Sequence, residues 1–101
     1  MSMKPGSRWK SRVCDAEAVV VRPARAGGLP QCGGVDMAPL GEPAETAELR
    51  PGFDGGCIVG KRYRDEAVGI ELLCTKAGAG SLGFGDTRLA MVEAKQLPSS
   101  D

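Results

Sequence analysis

Cys14, Cys32, Cys57 and Cys74 are the side chains of this sequence that carry thiol or metal chemistry. The chain contains no histidine. That removes the usual general base, the commonest metal-binding imidazole and any serine-type triad. Cys14 and Cys32 lie before and after the same strand–turn unit. They are therefore candidates for a metal site or a switchable disulfide, which needs the two Cα atoms to approach closely. Arg12 favours a thiolate at Cys14, whereas Asp15 and Glu17 oppose it. Cys57 and Cys74 stand beside apolar residues and read as buried core thiols. Convergence of all four is open, although the sequence lacks the local C-x2-C pairing that usually nucleates such sites.

Two glycine patterns imitate phosphate sites. Gly55, Gly60 and Lys61 have P-loop spacing, but Arg62 occupies the magnesium-binding Ser/Thr position and no helix follows. Gly78, Gly80 and Gly83 match the dinucleotide fingerprint by letter. Too little chain remains for the βαβ unit and distal acidic residue which that fingerprint requires. These glycines read as turn residues.

The elements that must position the cysteines are short strands. The 101 residues include 15 glycines and seven prolines, a composition that favours tight turns over long helices. Val19-Val20-Val21, ended by Pro23, reads as a buried strand against which Trp9 tucks. Further strands are expected at 37–40, at Cys57-Ile58-Val59, over 69–75 with Ile70, Leu72 and Cys74 on one face, and at 89–92. Pro43 to Arg50 predicts a two-turn helix, with Pro and Glu early, Arg late and Pro51 as its stop. The expected core is Val19, Val21, Ile58, Ile70, Leu72 and Leu82.

The chain also repeats itself. Residues 10–40 and 57–93 each run through an entry residue, an apolar strand, a glycine turn, a leucine, a second knuckle and a closing apolar residue. A connector over 41–56 joins them, and 94–101 is a polar tail. The expectation is one small, mainly β domain spanning 1–101, because units of about 35 residues rarely bury enough apolar surface alone.

Within the first repeat, Cys14-Asp15-Ala16-Glu17, Val19 to Arg22, Gly28-Leu29 and Cys32-Gly33-Gly34-Val35-Asp36-Met37 resemble desulforedoxin, also found as the N-terminal domain of desulfoferrodoxin. The second repeat resembles its frame at Gly60-Lys61-Arg62-Tyr63, Gly69 to Leu72 and Thr75 to Leu82. The resemblance implies two tandem knuckle units packed as a pseudo-dimer, each descended from a site where four cysteines hold one iron. Carried over by position, Cys14 and Cys32 match ligands, while Glu17 and Gly33 stand where the other two would be. Asp65, Val68, Phe84 and Gly85 occupy the four places of the second unit, with Phe84 filling the vacated space. The implied metal residues are thus Cys14, Cys32 and Glu17.

The formal net charge is zero with charges mixed along the chain, which gives no basic face for nucleic acid. No segment approaches the roughly 18 apolar residues of a membrane span. The N-terminus lacks a secretory h-region, so a cytoplasmic location with reduced cysteines is expected. Missing catalytic groups favour a non-catalytic accessory module that acts through its surface on a protein partner or enzyme complex. It would be a monomeric pseudo-dimer or a homodimer without a cofactor. The alternative is a small iron- or zinc-binding or thiol-redox protein that uses Cys14 and Cys32.

Overall fold

The computed structural model describes residues 3–92. Ten short strands form, named in chain order: β1 (Arg8–Lys10), β2 (Glu17–Arg22), β3 (Gln31–Cys32), β4 (Val35–Asp36), β5 (Ala38–Pro39), β6 (Arg62–Asp65), β7 (Ile70–Lys76), β8 (Leu82–Phe84), β9 (Thr87–Arg88) and β10 (Ala90–Val92). They build a six-stranded sheet in the order β10-β6-β7-β2-β1-β5 and a four-stranded sheet in the order β4-β3-β8-β9. All pairings are antiparallel. The protein is mainly β, as its composition implies. No helix is present among the described residues, so none is long and apolar enough to cross a membrane.

The helix expected over Pro43 to Arg50 does not form. The segment runs across the first repeat and gives its backbone donors away. The Ala47 amide donates to the Arg12 carbonyl (2.8 Å) and the Arg50 amide to the Gly33 carbonyl (2.9 Å). The Arg12 guanidinium donates to the Glu45 carbonyl at 2.9 Å. A two-turn helix is marginal without packing, and here tertiary partners replace its internal bonds.

The core differs from expectation in strand parity. In β2 the inward residues are Ala18 and Val20, while Val19 is half-buried and Val21 is 42% exposed. Three consecutive valines do not by themselves say which face is inside. Pairing with β7 decides it, with Val20 opposite Leu72 and register shifts at Glu17/Ala18 and Val20/Arg22. Ile70, Leu72 and Leu82 are buried as expected, and Trp9 is buried in β1 opposite Ala18. Cys57-Ile58-Val59 is not a strand. Cys57 makes an isolated bridge to Gly78, and Ile58 and Val59 are exposed in the turn that leads into β6. The tail over 94–101 lies outside the described residues.

This parity gives a direct test. Val20→Ala should destabilise the fold by about 2 kcal/mol through a core cavity. Val21→Ala should change urea-unfolding stability by less than about 0.5 kcal/mol, as surface substitutions do. Equal effects would contradict the observed parity.

Candidate functional site

Cys14 sits in the turn between β1 and β2. Ser11 shapes that turn: its hydroxyl accepts the amides of Val13 (3.0 Å) and Cys14 (3.2 Å), and its own amide donates to the Ala16 carbonyl (2.8 Å). Cys32 ends β3 and is fully buried. It precedes Gly33 and Gly34, whose positive φ values of 68° and 81° turn the chain back into β4. The sulfurs of Cys14 and Cys32 are 3.8 Å apart.

The second repeat supplies the other two thiols. Cys57 is buried, with its amide donating to the Gly78 carbonyl at 3.1 Å. Cys74 is buried in β7 opposite Ala18, and its thiol donates to the Lys76 carbonyl at 3.2 Å. The Cys57–Lys61 loop is clamped to Cys74 by the Gly60 amide on its carbonyl (2.8 Å) and by its own amide on the Lys61 carbonyl (2.9 Å). Cys32, Cys57 and Cys74 belong to one buried cluster, and Cys14 packs against it.

Residues Gly78 to Gly80 form one wall of this cluster. The Gly80 amide donates to the Cys14 sulfur at 3.4 Å. A Cβ on Gly78 would lie 2.6 Å from the Cys14 sulfur, and one on Gly80 would lie 2.9 Å from the Cys32 sulfur. A Cβ on Gly83 would meet the Thr87 carbonyl oxygen at 2.7 Å. The three glycines that imitate a dinucleotide fingerprint are therefore required by close packing. Two of them make room for sulfur.

The thiols perturb one another. A hydrogen bond with Cys57, reinforced by burial, pushes the Cys32 thiol far up. The same contact pulls Cys57 down to about 6, against its own burial and with help from Cys74 and the Gly78 backbone. Burial, then Cys57, pushes Cys74 up to about 12. Burial raises Cys14, but hydrogen bonds from Ser11, the Ala16 and Gly80 backbone and Cys32 outweigh it and leave this thiol below its usual value. Protonated neighbours thus favour one thiolate, on Cys57, in a group too crowded for several bare negative charges.

Cys14 and Cys32 are brought together as the sequence suggests. The sulfur contacts of Cys14 are with Ser11, Cys32 and the backbone of Ala16 and Gly80. The Glu17 carboxylate is not among them. Glu17 opens β2 opposite Lys10 and Lys76, and Gly33 has no donor atom on its side chain. Phe84 is buried, with its ring edge about one Cβ contact from Gly28. Among the described residues, no group of three or more Cys, Asp or Glu side chains is placed to hold a metal ion. What is present is a set of four free thiols, two from each repeat. Cys57 and Cys74 were legible as core residues, and the sequence left their convergence with the other pair open.

A surface groove of about 320 Å³ opens beside Cys14, lined by Lys10, Ser11, Arg12, Val13, Asp15 and the 44–46 segment. The two larger grooves, about 460 and 530 Å³, lie along β6, β9 and β10 and contain no cysteine. No family model, curated protein or solved structure matches the chain.

Two outcomes follow for the metal-free protein. Gly80→Ala should destabilise it by about 1–3 kcal/mol through overpacking against Cys32. Gly27→Ala, which meets nothing within 4 Å, serves as the neutral control in the same urea titration. The ultraviolet absorbance of thiolate should rise with a first midpoint near pH 6, and Cys57→Ser should abolish that step. The folded Cys57 value lies below that of an unfolded thiol. Its stabilising contribution is therefore complete above the unfolded value and is lost as pH falls through about 6.

Proposed function

We propose that this chain is a small metal–thiolate protein in which Cys14, Cys32, Cys57 and Cys74 together hold one soft ion, zinc or iron. The carrying observation is the 3.8 Å separation of the Cys14 and Cys32 sulfurs. Metal–sulfur bonds of about 2.3 Å in a tetrahedron put neighbouring sulfurs about 3.8 Å apart. A disulfide needs about 2.05 Å. The pair is thus in unbonded contact at a spacing that a tetrahedral site would also need, and the two further buried thiols of the same cluster would have to close in on it. Four sulfurs and no imidazole are the donor set that zinc and iron accept. The Gly80 amide and Ser11 hydroxyl beside Cys14 are suited to stabilise thiolate charge, which a buried sulfur site needs from its surroundings.

The ion would supply either a structural crosslink or a one-electron centre, and the residues around it offer no substrate chemistry. We read the protein as a non-catalytic accessory module working with a protein partner. Ile58 and Val59, 51% and 58% exposed directly after Cys57, provide apolar surface next to the site.

The desulforedoxin-like pseudo-dimer is part of the same proposal. Exchanging β1 with β6, β2 with β7 and β5 with β10 leaves the order of the larger sheet unchanged. Exchanging β3 with β8 and β4 with β9 does the same for the smaller one. The cysteines do not follow this exchange, because Cys74 lies in β7 whereas β2 has no cysteine. The arrangement supports one composite site drawn from both units rather than two inherited ones.

Protein purified without chelator should contain one zinc or iron per chain by elemental analysis. Cys57→Ser and Cys74→Ser should each lose that stoichiometry, and Glu17→Gln should keep it. A metal-free protein whose fold is indifferent to added zinc would remove the metal reading and leave a purely surface-acting module.

A further inference from the structure

Among the four thiols, Cys14 is set apart by access. Cys32, Cys57 and Cys74 are buried, whereas Cys14 is half-exposed beside the groove lined by Lys10, Arg12, Asp15 and Glu45. Its sulfur also lies in direct contact with that of Cys32, 3.8 Å away. A small oxidant arriving from solvent therefore meets Cys14 first, with Cys32 directly behind it.

We infer that Cys14 and Cys32 form a hydroperoxide-sensitive disulfide pair whose closure removes half of the ligand set; the release of the ion rests on the metal–thiolate reading above. The chemistry balances with hydrogen peroxide as oxidant. The Cys14 sulfur attacks one peroxide oxygen, an S–O bond forms, the O–O bond breaks, and the departing hydroxide takes a proton to become water. The Cys32 sulfur then attacks the Cys14 sulfur, the S–S bond forms, and the second hydroxide leaves and is protonated. Two thiolates have lost two electrons, and one peroxide with two protons beyond its own has become two waters.

Geometry favours this pair. Closing from 3.8 Å to a bond of about 2.05 Å is a short approach, shared between two side chains. Cys14 lies in a turn, and Cys32 ends a two-residue strand before two glycines, so neither sits in the middle of a long ladder. Cys74, by contrast, lies inside the seven-residue β7 between β2 and β6. Once Cys14 and Cys32 are joined, Cys57 and Cys74 alone remain as thiolates, and two ligands hold a soft ion far less tightly than four.

The test uses the full chain loaded with zinc, treated with stoichiometric hydrogen peroxide. Zinc release is followed by a metallochromic dye, and disulfides are mapped by peptide mass spectrometry. The expected result is one zinc released per disulfide, the Cys14–Cys32 peptide pair as the main crosslink, and recovery of zinc binding after dithiothreitol. Oxidation mapping mainly to Cys57 or Cys74, or a Cys14–Cys32 disulfide with zinc retained, would overturn the inference. A chain that takes up no zinc before oxidation would overturn the metal reading and the release step together. The same map on the metal-free chain then decides separately whether Cys14 and Cys32 are the reactive pair.

Discussion

The antiparallel pairing of β2 with β7 is the interaction on which the thiol cluster depends. It joins the two repeats in the middle of the larger sheet, with Ala18 opposite Cys74 and Val20 opposite Leu72. That register brings a thiol of the second repeat in line with the strand that leaves the Cys14 turn. In the smaller sheet, β3 pairs with β8 so that Cys32 faces Leu82, and the 78–80 segment is thereby carried against both Cys14 and Cys32. Separate the two halves and each would keep only two of the four thiols, and Cys14 and Cys32 would lose the 78–80 wall that packs against them. The sheets come first and the cluster is their consequence.

The sheets leave little tolerance at the cluster. Wherever the backbone of 78–80 approaches sulfur, the space available is smaller than a methyl group. Glycine is used there because its missing Cβ permits the approach, with no phosphate involved. The resemblance to a dinucleotide fingerprint is a coincidence of letters with a definite physical content. Three glycines each make room, for the Cys14 sulfur, for the Cys32 sulfur and for the Thr87 carbonyl of the neighbouring strand β9.

Much of the scaffold was legible because it follows from local rules. Alternation over Ile70, Leu72 and Cys74 gave β7 and its buried face, and glycine-rich punctuation gave a helix-poor, mainly β protein. What escaped was decided by partners distant in sequence. Three adjacent valines carry no parity until Leu72 supplies one. The 43–50 segment has helical signals at both ends, yet its amides are claimed by carbonyls of Arg12 and Gly33. The same limit applied to the thiols. Cys57 and Cys74 look like ordinary core residues along the chain, and only the fold makes them neighbours of Cys14 and Cys32. Glu17 met the positional expectation for a ligand, but the start of β2 sets it between two lysine-bearing strands.

Packing four thiols together, three of them buried, is an uneconomical way to fill a core. Leucine or valine would pack as well without polar hydrogens to satisfy, and the raised Cys32 and Cys74 thiols show how poorly the cluster accommodates a second bare charge. The strands are two to seven residues long, and the aromatic residues number only four. A fold this short of apolar mass gains most from a crosslink at its centre. Four thiolates around one divalent or trivalent ion, as proposed above, would resolve both difficulties at once. The ion would neutralise most of the charge that the thiols cannot share, and it would tie the β1–β2 turn, β3, the 57–61 loop and β7 to a common point. Those segments come equally from residues 10–40 and 57–93, so the crosslink would fall where the two halves of the chain meet, the place where a short chain without a large core has most need of it.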